Sequence, residues 1–224
     1  MIGQDAGKSF AYILGVYLGD GCVTGGRFRL NTIDRDFAEA VKAALNVISP
    51  MNVTLSVHDV SKSSKPNWAL GIGDHRLCTR LVEDCCGKRI IPAYVFDGAR
   101  DQKLAFIAGL MDSEGYVGAN SNHTNRRYYM GFKSCDVWVP DFIRLLHTVG
   151  IVTGKLGVEK PRKPGYKVPT RFAIKMQSWI DSGARFNIAR KQSRVEEWAS
   201  AGAYERRARH PRKLTPETTC TAPA

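Results

Sequence analysis

The chain repeats itself. Ala11-Tyr-Ile-Leu-Gly-Val-Tyr-Leu-Gly-Asp-Gly-Cys-Val23 aligns with Ala105-Phe-Ile-Ala-Gly-Leu-Met-Asp-Ser-Glu-Gly-Tyr-Val117 at an offset of 94. Five of the thirteen positions are identical, and Tyr12/Phe106, Val16/Leu110 and Asp20/Glu114 are alike in kind. A second echo, Asp36-Phe37 against Asp141-Phe142, opens a helical pattern in each copy at an offset of 105. The difference of 11 fits a longer loop at Gly118–Asn125 in the second copy. A repeat of roughly this length predicts two related halves that fold alike. They should join near Asp97–Asp101, giving a first half over 1–99 and a second over 100–202.

Each half reads helix, two strands, helix, two strands, helix. In the first, Lys8–Leu18 is an apolar helix, Thr24-Gly25-Gly26 is a hairpin turn, and Asp34–Ile48 is an amphipathic helix. Val53–Val60 and Trp68–Ile72 alternate as strands around the polar loop Ser61–Pro66, and His75–Cys86 is helical. The second half predicts a helix over Asp101–Ser113, strands at Tyr116–Ala119 and Arg127–Ser134, and a helix over Val137–Val149. Strands at Val152–Lys160 and Tyr166–Met176 follow, then helices at Ser178–Phe186 and Ile188–Ala201. The fold class is α+β, with two pseudo-twofold αββαββα halves whose antiparallel sheets carry helices behind them.

Composition narrows the partners. Of 224 residues, 43% are hydrophobic and 24% charged, enough apolar mass for a core. No stretch approaches the ~18 apolar residues of a membrane span, and MIGQDAGKS lacks the layout of a signal peptide. The formal charge is +12, with 11 basic and 10 acidic side chains in residues 1–99 against 22 and 11 in residues 100–224. A surplus of that kind points to a polyanion, nucleic acid first. The stretch 203–224 is basic and without apolar periodicity, and is expected to be a disordered tail that aids solubility or touches nucleic acid. Six scattered cysteines without ligand spacing predict reduced thiols in an intracellular protein. His58, His75, His123, His147 and His210 form no cluster, which argues against a zinc or histidine centre.

Strand alternation separates two faces. Val168, Phe172, Ile174 and Met176 face one way, and Lys167, Arg171 and Lys175 the other. The same split sets Phe28 and Leu30 against Arg27, Arg29 and Asn31. It also sets Tyr128, Met130 and Phe132 against Arg127 and Lys133. A solvated face usually mixes signs, so a nearly single-sign face on several strands predicts a phosphate-tracking surface.

The repeated helices carry the chemistry. Gly15 and Gly19, then Gly109 and Ser113, place small residues four apart on one helix face. In one copy this would be an ordinary tight contact; in two copies the helices can pack on each other about a pseudo-twofold axis. Each helix runs into a carboxylate followed by glycine: Asp20-Gly21 and Glu114-Gly115. An acid at a helix C-terminus opposes the macrodipole by about 0.3–1 kcal/mol. Two acids about 6 Å apart repel by roughly 3 kcal/mol at an effective dielectric near 20. A divalent cation reverses the sign of both terms. Two acids with the carbonyls of Gly19 and Ser113 nearby make an oxygen-rich site suited to Mg²⁺.

ILGVYLGDG (Ile13–Gly21) and IAGLMDSEG (Ile107–Gly115) resemble the LAGLIDADG motif of homing endonucleases in its single-chain, two-motif form. The first copy has Leu18 where the family name has its first Asp; the eighth position keeps a carboxylate in both. Arg89-Ile-Ile-Pro92 resembles the family's K-x-I-P element, with Arg for Lys, and Ala189-Arg-Lys-Gln-Ser-Arg194 its R-K-x-x-R element. The resemblance covers about residues 8–201. It implies a monomeric, site-specific endonuclease of intron or intein mobility that cuts both strands of DNA by metal-dependent phosphodiester hydrolysis. Asp20 and Glu114 would be catalytic metal ligands, with Mn²⁺ or Ca²⁺ able to replace Mg²⁺ for binding. Arg89 and Lys191 would be cations that stabilise transition-state charge. Asp112, the sixth motif residue, is expected to be a helix-end hydrogen-bond partner rather than a ligand.

The sheets would supply specificity by entering the major groove. Side by side they would span about 60 Å at ~3.3 Å per residue, around 18 base pairs. Candidate DNA contacts are Arg27, Arg29, Lys62, Lys65, Arg126, Arg127, Lys133, Lys155, Lys160, Arg162, Lys163, Lys167, Arg171 and Lys175. Two other readings fit the same scaffold: an RNA-binding intron maturase, and a DNA-binding regulator that does not cut.

Overall fold

A computed structural model of the chain describes residues 2–58, 66–122, 125–159 and 168–205, with side chains described for 6–57, 66–119, 128–159 and 168–201. The first half runs α1 (Ile2–Leu18), β1 (Cys22–Thr24), β2 (Arg27–Thr32), α2 (Arg35–Ile48), β3 (Thr54–His58), β4 (Asn67–Ile72) and α3 (His75–Asp84). A short α4 (Ala93–Asp97), not foreseen from sequence, leads into the second half. This comprises α5 (Arg100–Ser113), β5 (Gly115–Asn122), β6 (Asn125–Ser134), α6 (Val139–Thr148), β7 (Gly157–Val158), β8 (Thr170–Ala173), α7 (Met176–Asp181) and α8 (Ala189–Glu205). The architecture is α+β. Two four-stranded antiparallel sheets have the same order, β1-β2-β4-β3 and β5-β6-β8-β7.

The strand faces separate as period two requires. Phe28 and Leu30 are buried while Arg27, Arg29 and Asn31 are exposed; Met130, Phe132, Phe172 and Ile174 are buried while Arg171 and Lys175 are exposed. The apolar faces receive α2 through Phe37, Val41 and Leu45, and α6 through Phe142, Leu145 and Leu146. One hydrophobic cluster runs through both halves, because α1 and α5 lie in its middle with Ile13, Leu14, Val16, Ile107, Leu110 and Met111 fully buried. A helix pair shared by two sheets has no solvent face to offer. This is why the second motif helix lacks amphipathic contrast.

Several boundaries differ from the sequence reading. The predicted loop at Gly118–Asn125 is mostly strand: the β5–β6 hairpin stays in register from Gly115↔Phe132 to Asn122↔Asn125, so the insertion lengthens the ribbon. The predicted strand Val152–Lys160 contracts to Gly157–Val158 plus an isolated bridge Thr153↔Ile174, with Gly154 and Gly157 weakening the segment between. β8 starts at Thr170. Val168 is 46% exposed instead of inward, and Met176 begins α7. α7 stops at Asp181 because Gly183 turns left-handed at φ +79°. Helix α3 ends at Asp84 rather than Cys86, and Cys86, Gly87 and Lys88 all take positive φ. α8 continues to Glu205, into the region read as tail; residues 206–224 lie outside the described residues, as do 59–65 of the predicted loop and strand end. Cys22, Cys78, Cys85, Cys86 and Cys135 are not joined by disulfides, and no described helix is long and apolar enough to cross a membrane.

Candidate active site

α1 and α5 touch backbone to backbone. A Cβ at Gly15 would overlap the Phe106 carbonyl oxygen, and a Cβ at Gly109 would overlap the Tyr12 carbonyl oxygen. One turn further on, a Cβ at Gly19 would overlap the Ser113 side chain and stand 3.5 Å from Glu114 Cγ. The small-residue ladder therefore decides how near the two helix ends come, and with them the two acids. Gly21 and Gly115 are needed for room, not for unusual φ: a Cβ there would press on the Phe28 ring at 2.8 Å and the Met111 carbonyl at 2.5 Å.

Asp20 and Glu114 sit just past the last helical residues at this seam, Asp20 exposed in part and Glu114 half-buried. Burial raises both carboxyls. Glu114 is pushed up to about 7, first by desolvation and then by the charges of Asp20 and Asp136, against the pull of Lys88 and Lys191. Asp20 is raised by desolvation and held back by Lys191 and Lys88. The expected like-charge repulsion is present, and two ammonium groups already offset part of it.

Those two lysines cap the motif helices, one each. Lys88 Nζ donates to the Gly19 carbonyl at 2.7 Å beyond α1. Lys191 Nζ donates to the Asp112 and Met111 carbonyls at 2.6 and 3.0 Å at the end of α5. A cation on orphan C-terminal carbonyls is the favourable arrangement with the helix dipole. Lys191 is only 4% exposed, and burial lowers it to about 8. Lys88 is lowered by burial, against the charges of Asp136, Cys22, Asp20 and Glu114. Arg89, expected beside the acids, is exposed, and it is its neighbour Lys88 that reaches the seam. The missed signal was Gly87-Lys88 after a helix, where a left-handed turn aims the next side chain back.

Asp112 is 2% exposed and behaves as a structural acceptor. Tyr12 Oη donates to it at 3.0 Å, Asn187 N at 3.0 Å and Asn187 Nδ2 at 2.9 Å. From Asn187 the chain enters α8, whose first turn is tied to the other half. Arg190 pairs with both oxygens of Asp34 at 2.6 and 2.7 Å, and the Ala189 N–H donates to Asp36. Asp34 and Asp136 follow β2 and β6 in matching turns, each N–H bonded to the hydroxyl two residues earlier, Thr32 or Ser134. Neither acid was singled out from sequence, because neither lies in the repeated motif.

The seam fits a divalent ion on its donor set. Two oxygen ligands that resist sharing negative charge, with carbonyls at the adjoining helix ends, match a hard cation that keeps other oxygens of its own. The Gly19 carbonyl already receives Lys88. Among the described residues no three His, Cys, Asp or Glu side chains gather to form a metal site.

The predicted DNA-contact residues divide. Arg27, Arg29, Arg171, Lys155 and Lys175 are exposed, and Lys133 is half-exposed. Lys62, Lys65, Lys160, Arg162, Lys163 and Lys167 lie outside the described residues. Arg126 and Arg127 lie in β6 with side chains outside them.

Fold and seam define a class: a single-chain, two-motif protein of the LAGLIDADG fold, its motif helices packed on each other between two sheets. Residues 7–84 match the family model of the LAGLIDADG-like domain. An uncharacterized protein of Methanocaldococcus jannaschii is 32% identical over 117 residues, which are 49% of this chain and 40% of that protein. The chain thus matches well under half the length of that relative. Among solved structures, the homing endonuclease I-DmoI in complex with DNA and Mn superposes with a TM-score of 0.50 at 13% identity, covering 80% of this chain and 94% of that one. The homing endonuclease I-WcaI bound to its DNA recognition sequence gives 0.54 at 11% identity, covering 84% and 86%. Full-length DUF199/WhiA of Thermotoga maritima gives 0.53 at 11% identity, covering 91% and 67%. At these identities the likeness is one of fold.

Proposed function

We propose that the chain is a site-specific DNA endonuclease that makes a double-strand break in a long recognition site by divalent-metal-dependent phosphodiester hydrolysis, acting as a monomer on double-stranded DNA. The observation that carries this reading is the pair Asp20 and Glu114, brought to one seam by two helices too close for any larger residue at Gly15 or Gly109. A purely structural seam would be better served by neutral residues at those two positions. I-DmoI and I-WcaI, which share the fold, are both described with DNA, and I-DmoI also with Mn.

Asp20 and Glu114 would hold Mg²⁺, with the carbonyls of Gly19 and Ser113 beside them; Mn²⁺ would serve as well, and Ca²⁺ for binding. The ion supplies Lewis-acid stabilisation of charge on the phosphoryl group. Lys88 and Lys191 fix the two helix ends by their carbonyl bonds and keep positive charge beside the acids, so anionic phosphate is admitted where two carboxylates alone would repel it. The exposed sheet faces, with Arg27, Arg29, Lys155 and Lys175, would follow the duplex on either side.

The test is incubation with a library of long duplexes and Mg²⁺. Wild type is expected to cut both strands at one rare sequence, and Asp20→Asn and Glu114→Gln to bind the same sequence while cutting at least 100-fold more slowly. Binding without cutting by wild type would instead favour the non-cleaving regulator. Preference for a structured intron RNA over any duplex would favour the maturase.

A further inference from the structure

One face of the second sheet carries a cluster that the first sheet lacks. Lys133 on β6 and Arg171 on β8 are register partners, directly opposite each other. Like charges so placed repel. Glu159, just beyond β7 and anchored by its N–H to the Pro169 carbonyl at 2.9 Å, bridges them. One carboxylate oxygen meets Lys133 Nζ at 2.5 Å and the other meets Arg171 Nη1 at 2.9 Å. All three side chains keep solvent access, at 37%, 60% and 27% for Lys133, Arg171 and Glu159. The matching register positions of the first sheet are Asn31 opposite Ala69, with His58 in the place of Glu159. The fold does not require the charged triad, since the other half builds the same sheet without it.

We propose, on the reading above that the sheets lie along DNA, that Lys133, Glu159 and Arg171 together read a G·C base pair in the part of the site nearest the seam. A plain phosphate clamp would not place a carboxylate between its two cations, because that carboxylate occupies the position an incoming phosphate would take and repels it. The major-groove edge of a G·C pair has the complementary pattern: the N7 and O6 acceptors of guanine beside the N4 donor of cytosine. The Arg171 fork supplies two donors and Glu159 the acceptor beside them, in the order that edge needs, while Lys133 holds the far oxygen of Glu159. Glu159 also orders two long side chains before DNA arrives, which lowers the entropy lost on binding. Location near the seam follows from register: Gly115, next to Glu114, pairs with Phe132, the residue before Lys133. The first half offers Asn31 in the same place, so the two sides of the seam would prefer different base pairs.

The experiment starts from the duplex that wild type retains out of a randomised library in Ca²⁺, then measures binding to each single base-pair variant of it. One G·C position on the second half's side is expected to lose on the order of 10–100-fold when changed to A·T, the range of a good bidentate contact. Glu159→Gln and Arg171→Gln should flatten that preference to under about threefold. Arg171→Gln should leave the slope of log K against log salt within about 0.3 of wild type, since no phosphate contact is lost. Arg171→Lys keeps the charge but not the fork; it should flatten the preference too, and thermal melting of each variant separates misfolding from lost reading. A slope reduced by about 0.9 with base preference intact would make Arg171 a phosphate contact and overturn the proposal. So would preferences untouched by all three substitutions. Failure of wild type to retain any duplex would sink the DNA-binding reading itself, and this inference with it; retention without the G·C preference sinks the inference alone.

Discussion

At the residue scale, Glu114 carries the most information. Its carboxyl titrates near 7 in the fold against an ordinary 4.5, because it is half-buried and faces Asp20 and Asp136. Between those two values the unfolded chain has already lost a proton that the folded chain keeps. Stability should therefore fall as pH rises from about 4.5 to about 7 and level off above. Glu114→Gln removes that loss. The variant is expected to gain about 1–2 kcal/mol over wild type at pH 7.5 and little at pH 4.5, read as a melting temperature higher by several degrees. Adding Mg²⁺ at pH 7.5 should raise the wild-type melting temperature and leave the variant nearly unmoved. The two capping lysines give a second expectation. Each serves one motif helix, so Lys88→Met and Lys191→Met should slow one strand's cleavage more than the other's, and nicked circles should accumulate from a plasmid bearing the site. Equal slowing of both strands would argue that the lysines act on the seam as a whole.

At the element scale, the α1–α5 contact is the least tolerant part of the molecule. The new methyl of Gly109→Ala would enter the space of the Tyr12 carbonyl, and backbone cannot step aside as a flexible side chain can. A loss of about 3 kcal/mol is expected in a denaturant titration, and Gly15→Ala should match it by pseudo-symmetry. α8 is the other element with consequences beyond itself. It belongs in sequence to the second half, yet Arg190 and the Ala189 N–H fasten it to Asp34 and Asp36 of the first while Lys191 reaches under α5. Arg190→Ala should cost little stability, because that pair is largely solvent-exposed on the arginine side. It should nevertheless lower cleavage with binding unchanged, by loosening the turn that seats Lys191.

At the scale of the whole molecule, charge is distributed unequally between two halves of one shape. The first 99 residues are nearly neutral while the remainder holds 22 basic against 11 acidic side chains. Duplex binding should weaken steeply with salt, and neutralising the exposed Lys155 and Lys175 should reduce the slope by about 0.9 apiece. Arg171 should not, which sets phosphate tracking apart from base reading within a single sheet.

Much of this was legible in one dimension. The repeat at an offset of 94 announced two like halves, small residues four apart announced two helices in contact, and period-two alternation assigned Phe28, Leu30, Met130 and Phe132 to the core. These are local facts of helix and strand geometry, and sequence spacing encodes them directly. The tertiary structure alone decided which cations stand beside the acids and what each acid feels. Lys88 reaches the seam because three consecutive residues turn left-handed after α3, and Lys191 because the first turn of α8 is tied to Asp34 and Asp36 at the start of α2. Asp34 and Asp136 join the same network from strand exits remote in sequence, and Glu159 finds its two partners only across strand registers. Such proximities depend on how whole elements close on one another, and spacing along the chain has no term for that.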